Sequence, residues 1–297
     1  MDLDSYIWVG LILVYGIFKG LREALKKKAM GTNSVVEVLV FYTFFAFLMI
    51  LPFSHNVFDV SFRFHIVIFL KSSIIFVAWL CALNSIKRLP LSVYSVMDMA
   101  RVIFSILLGV LLLGESIGIM QVIGMVLVIA GITLVNLKSK QIPAERPNKL
   151  VIVLMLISCL LNSVSGIMDK WLLSTQGGRF FLGEETITSS QLQFWYMLYL
   201  TLLYIAYALI KREKINIKKC ITCPWIWILS LLFVVADRAL FVANSSPDST
   251  VVVMTLIKQS SVLVTIAMGK IMYKEQHILY RILCATLIIA GIALSVL

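Results

Sequence analysis

Charge is what this chain has least of. Asp, Glu, Lys and Arg make up 14% of its 297 residues, against about 25% in soluble domains. With 61% of residues apolar, that deficit excludes an ordinary soluble domain. Histidine is scarce too: three in all, with no His-Glu-x-x-His and no glycine-rich phosphate loop, so hydrolase and ATPase signatures are missing. The five cysteines (Cys81, Cys159, Cys220, Cys223 and Cys284) are scattered, and only Cys220-Ile-Thr-Cys223 has metal-like spacing. No second pair completes it. The expectation is therefore a non-enzyme, with no catalytic residues, no metal and no cofactor. A basic leader is lacking as well. The start, Met1-Asp-Leu-Asp-Ser, makes the first apolar run a full span rather than a cleavable signal.

What the chain has instead is long apolar runs. About 20 residues of helix cross ~30 Å of hydrocarbon, and runs of that length fall at 5–23, 33–52, 65–85, 91–113, 117–137, 149–173, 189–210, 224–244, 249–272 and 277–296. They are too long for strands and lack period-2 alternation, so they are predicted helices. The longest polar stretches, 138–148 and 174–188, are loops.

The net charge of +11 is not a nucleic-acid patch, because it is distributed by side. Numbering connections by the helices they join, 1–2, 3–4, 5–6, 7–8 and 9–10 share one side and hold 18 basic residues. They begin with Arg22, Lys26, Lys27 and Lys28 and end with Lys270, Lys274 and Arg281. The other side has only Arg63 and Arg179, with acidic Asp2, Asp4, Asp59, Glu184, Glu185 and Asp248. Lys and Arg tend to stay cytoplasmic, which predicts a multi-pass protein of the cell membrane with both termini extracytoplasmic.

The chain also repeats itself. Aligning 84–134 on 244–294 needs no gap and gives 13 identities in 51 positions. Asn84-Ser85 returns as Asn244-Ser245, Gly109 as Gly269, Glu115 as Glu275, and Ala130-Gly131-Ile132 as Ala290-Gly291-Ile292. Five helices per copy is an odd number, so the second copy enters the membrane inverted. Equivalent connections then carry opposite charge bias: 4–5 holds Glu115 and no basic residue, whereas 9–10 holds three. The fold expected is an all-α membrane protein of ten transmembrane helices in two inverted five-helix repeats, 1–140 and 149–297. Such repeats are the usual mark of a secondary transporter, with its site between the copies.

Gly114-Glu115, followed by Gly124 and Leu127-Val-Ile-Ala-Gly131-Ile, resembles the signature of the drug/metabolite transporter superfamily in its ten-helix EamA-type branch. Lys274-Glu275 through Ile288-Ile-Ala-Gly291-Ile is a second copy, with lysine in place of the glycine. The resemblance covers essentially the whole chain. It implies alternating-access transport of a small organic solute without ATP. Many relatives place both termini inside, and here the charges say outside.

Charges inside the spans carry the site. Asp98 and Arg101 on helix 4, Asp237 and Arg238 on helix 8, and Lys258 beside Gln259 on helix 9 all lie mid-run. Each charge at mid-bilayer costs roughly 2.5–3.5 kcal/mol, so five facing lipid would cost on the order of 12–17 kcal/mol. They must face the interior, paired or hydrated. The bland reading is mutual pairing, as for Asp98 and Arg101 three apart on one helical face. The functional reading notes that Asp98 and Lys258 occupy equivalent repeat positions, so the two halves present opposite charges at one depth to an anionic or zwitterionic substrate. Nucleotide-sugar transporters of the superfamily resemble this chain in carrying a basic residue near the place of Arg101, and a guanidinium suits carboxylate or phosphate.

Tyr94 and Trp79 join the candidate substrate site, while Tyr15, Asn84, Asn162 and Asn244 either line a cavity or pack. Lys19 and Asp169 lie near helix ends, where snorkelling explains them. Glu115 is expected to cap the helix that follows it. The partners expected are a small-molecule substrate and the bilayer, with protons as a candidate coupling ion through Asp98 or Asp237, and no nucleic acid. Two rivals stand beside this reading. A lipid-linked sugar or phosphate flippase would need a lateral opening, and a cationic-drug exporter would need an unpaired carboxylate.

Overall fold

Among the described residues of the computed structural model, every regular element is a helix. These residues are 7–31, 33–54, 56–88, 98, 100–137, 149–174, 185, 187–261, 263–264, 267–268 and 286–294. In chain order the helices are α1 (Ile7–Met30), α2 (Val35–Ile50), α3 (Phe62–Arg88), α4 (Ala100–Leu113), α5 (Ile119–Leu137), α6 (Lys149–Leu173), α7 (Ser189–Ile210), α8 (Pro224–Ser245), α9 (Val251–Ile257) and α10 (286–294). A short helix, Ile217–Thr222, occupies the α7–α8 connection.

Local chemistry sets the ends. Ser34 accepts from the Glu37 N–H while Glu37 accepts from the Ser34 N–H, a reciprocal cap that starts α2. Thr188 and Gln191 do the same for α7. Pro224 opens α8, where its missing N–H costs nothing. Gly114 ends α4 at φ +67, a left-handed conformation that favours glycine.

Five helical segments are long and apolar enough to cross a membrane: Val35–Phe53, Phe62–Ser85, Lys149–Leu173, Ser189–Ile210 and Pro224–Ser245. Ala100–Leu113 and Ile119–Gly131 are shorter apolar helices. The outward surface fits a bilayer, with Leu111, Ile119 and Ile210 each at least 75% exposed. This is a multi-pass, all-α membrane protein.

Helix α1 corrects one expectation. The apolar run ends near residue 23, but the helix continues to Met30, so Arg22 is no loop residue. It is buried at 6% exposure. The helical 24 residues reach roughly 36 Å at about 1.5 Å per residue. Helix α9 departs in the other direction. The expected helix over 249–272 is interrupted at Lys258 and Gln259, where the Gln259 N–H donates to Leu256 O and the Ser261 N–H to Lys258 O, both i→i−3. The turn is tightened in mid-span, a common mark of a functional hinge.

Helices pack across the two halves. α1 lies along α8, and α3 along α6; α2 packs on α7, α4 on α9, α2 on α8 and α3 on α7. Exchanging each helix for the one five places away maps this set of contacts onto itself. Side-chain contacts also sort the connections by face. Glu37 Oε1 accepts from the Asn216 N–H at 2.9 Å, which joins the α1–α2 and α7–α8 connections on a face rich in lysine. Gln191 Nε2 donates to Asn56 O and Asp59 O, and Glu115 reaches Val251 and Val252. Those contacts put the α2–α3, α4–α5, α6–α7 and α8–α9 connections on the opposite face. Helix α1 therefore ends on the basic face and α6 on the opposite one.

Glycines permit the closest approaches. A Cβ at Gly291 of α10 would sit 2.6 Å from Gly124 O of α5, and one at Gly20 of α1 would sit 2.6 Å from Ser261 O.

Candidate functional site

An internal cavity of about 140 Å³ lies at the centre of the bundle, walled by α1, α2, α3, α4, α6, α7, α8, α9 and the turn that follows α9. Each wall is one stripe of a helix. On α1 the stripe is Tyr15, Lys19, Arg22, Glu23 and Lys26, spaced by three and four so that all share one face. On α3 it is Lys71, Ile75, Trp79 and Ala82, and on α8 it is Phe233, Asp237, Leu240 and Phe241. Asn162, Gly166 and Asp169 come from α6. The interruption after α9 delivers Lys258 and Gln259 side by side.

Ion pairs organise these charges. Asp98 holds Arg101 at 2.8 Å and faces Lys19 at 3.9 Å. Lys71 meets Asp169 at 3.1 Å, with both side chains under 10% exposed, and the Lys71 ammonium also sits 3.6 Å from the Tyr196 ring centroid. Arg22 approaches Asp237 at 3.8 Å and donates to Tyr42 Oη at 3.4 Å. Its guanidinium lies 5.0 Å from the Phe233 ring centroid, and its Nε is buried without a hydrogen-bond partner among the described residues. Glu23 and Lys26 pair at 2.6 Å. Lys258 has no carboxylate within 4.0 Å among the described residues; its ammonium lies 5.5 Å from the Tyr15 ring centroid. Tyr42, Trp79 and Phe233 form an aromatic wall with centroids 5.1–5.6 Å apart.

Of the residues the sequence singled out, Trp79, Arg101, Asp237, Lys258 and Gln259 line this one cavity. Asp98 stands behind Arg101 and orients it. Arg238 does not line the cavity. Neighbours on a helix point about 100° apart, and with Asp237 turned inward Arg238 reaches Ser190 Oγ at 2.5 Å. Tyr94 lies outside the described residues, as do Gly269, Lys270, Lys274, Glu275 and Arg281. Asn84 and Asn244 instead donate to carbonyls of their own helices, Leu80 and Leu240.

Three expectations are corrected. Lys19 and Asp169 do not snorkel; they are 7% and 5% exposed and take part in the ion pairs above. Arg22 belongs to the cavity rather than to a loop. Glu115 does not cap the helix that follows it. Its two oxygens accept from the Val251 and Val252 N–H groups at 2.6 and 3.0 Å, at the start of α9. Lys71 is a cavity residue outside the set expected from the sequence, although a lysine nine residues into an apolar span satisfies the same energetic test as Arg101.

The Cys220 thiol, outside the spans, is buried. Burial first, and the Glu37 carboxylate second, push it up to about 11, so it stays protonated and inert near neutrality. Among the described residues no group of three or more His, Cys, Asp or Glu is placed to hold a metal ion.

A polar, charge-lined cavity thus lies inside an apolar helical bundle. Residues 6–137 match the model of the EamA-like transporter family. The first part of the chain is thus similar to transporters of that family. A solved crystal structure superposes over 99% of this chain and 98% of its own with a TM-score of 0.71. The two are 13% identical, so the likeness is one of fold. No curated protein matches the sequence.

Proposed function

We propose that the chain is a secondary active transporter that moves a small anionic or zwitterionic metabolite by alternating access, with inverted halves 1–140 and 149–297 enclosing the site. One observation supports this above the others, the charge count around the cavity. Among the described residues six cations (Lys19, Arg22, Lys26, Lys71, Arg101 and Lys258) stand against four carboxylates, Glu23, Asp98, Asp169 and Asp237. The excess of two positive charges sits in a desolvated space, where unmatched charge is expensive. An anion entering the cavity relieves that cost, and the aromatic wall offers its organic part a surface.

The cationic-drug reading loses ground on the same count, because each of the four carboxylates has a Lys or Arg within 4.0 Å. Exchange of one anion for another needs no coupling ion. A proton-coupled cycle would use Asp237, which is 7% exposed beside Arg22.

A thermal-shift screen of the purified protein against metabolites tests the substrate class. A ligand at 100 times its Kd adds about 2.7 kcal/mol, so anionic and zwitterionic solutes should raise the melting temperature and organic cations should not. Stabilisation by cations alone would reverse the reading.

The orientation proposed has both termini extracytoplasmic, on the charge bias between the two faces. A cysteine placed at Asp2 should react with an impermeant thiol reagent in intact cells, and one placed at Lys27 should not. The opposite pattern would turn the protein over in the membrane.

A further inference from the structure

The two ends of the cavity differ. Toward the basic face, Glu23 and Lys26 keep 22% and 19% of their side chains exposed. Toward the opposite face, Lys71, Asp169, Phe241 and Val251 are all buried. Across that closed end the connections of the two halves are tied together by Glu115. It stands in the α4–α5 connection just after Gly114, its own N–H donating to Gly109 O at 3.3 Å. A Cβ at position 109 would come within 3.1 Å of its Oε2, so glycine there leaves room for the carboxylate. The receiving segment is fixed from its own half. Lys170 of α6 donates to Ser246 O at 2.8 Å and to Ser249 Oγ at 2.7 Å, and Thr250 Oγ1 accepts from the Val253 N–H. Thr250 already starts α9 locally. The carboxylate adds two charge-assisted bonds reaching 136 and 137 residues along the chain, and these are the stronger class of hydrogen bond.

We infer that Glu115 is a latch. Its bonds to the Val251 and Val252 N–H groups hold the cavity shut on the face opposite the basic one, and they must break for the cavity to open there. The inference rests on the alternating-access reading. It makes Glu115 a positioning residue that sets the balance of the two states without touching substrate. The competing arrangement has α4 and α9 move as one body, with Glu115 a static brace between them.

Sided labelling separates the two. Thr255 lines the cavity one turn beyond Val251, and T255C can be probed with an impermeant maleimide in vesicles of each orientation, after subtraction of the signal from the native cysteines. With Glu115 intact, T255C should label from the basic-face side and be protected from the other. Adding E115A, or E115Q where the alanine variant fails to insert, should raise labelling from the protected side about tenfold, as expected for weakening a hydrogen bond to a charged group. Labelling from the basic-face side should fall. A general loosening raises both rates, and a static brace leaves both unchanged; either result overturns the latch. Equal labelling from both faces with Glu115 intact would instead remove the alternating-access reading on which the latch depends.

Discussion

Replacing Arg101 with alanine should abolish substrate binding while leaving the protein folded and inserted. Both halves of that outcome follow from the local geometry. Arg101 lines the cavity and is 23% exposed there, so its planar donor fork can meet a carboxylate or phosphate. Its removal does not strand Asp98, because Lys19 already stands 3.9 Å from that carboxylate. Arg101→Lys should restore binding only in part, since the charge returns without the fork. Lys258→Ala should weaken binding in the same direction, and it leaves no carboxylate within 4.0 Å unpaired among the described residues. Wild-type binding and transport by both alanine variants would make these charges structural. The measurement is binding of the stabilising anion, beside detergent-extracted yield and elution profile.

How much of this was legible beforehand varies with the range of the interaction. The bundle of apolar helices follows from run length and composition, and the Asp98–Arg101 pair from a spacing of three. Arg101, Asp237 and Lys258 stand out because a mid-span charge is costly wherever it points, and Gln259 only as the neighbour of Lys258. Arg238 stands out with Asp237 on the same ground, and hydropathy cannot say which of two neighbours faces inward. Arg22 sits at the edge of the run 5–23 beside Lys26, Lys27 and Lys28, so charge alone groups it with the connection, whereas backbone hydrogen bonding carries α1 on to Met30. Its approach to Asp237 joins α1 to α8, and the reach of Glu115 to Val251 joins α4 to α9. Neither leaves a local trace. Lys71 is different: its charge inside an apolar span is a signal the sequence itself carries.

Lys71→Ala should be the most damaging single change to stability. Lys71 and Asp169 are 2% and 5% exposed, and they pair at 3.1 Å. Removing one partner of such a pair leaves a buried charge uncompensated, which typically costs about 3–5 kcal/mol. Folded yield after detergent extraction should collapse. The pair itself contributes little net stability, because two desolvated ions replaced by apolar groups of similar size are often neutral. The double variant K71M/D169L should therefore recover yield and melting temperature. Recovery of yield without recovery of anion binding would assign the pair to the site as well as to the fold. A stable Lys71→Ala protein would contradict the burial argument.

Counterflow in proteoliposomes tests the proposed transport most directly. Purified protein is reconstituted into vesicles preloaded with the anion that gives the largest thermal shift, and entry of labelled anion from dilute solution is followed without ATP. The expected result is a transient, saturable overshoot that depends on internal anion and disappears in Arg101→Ala vesicles. Uptake that rises linearly with concentration, or binding with no translocation, would contradict it.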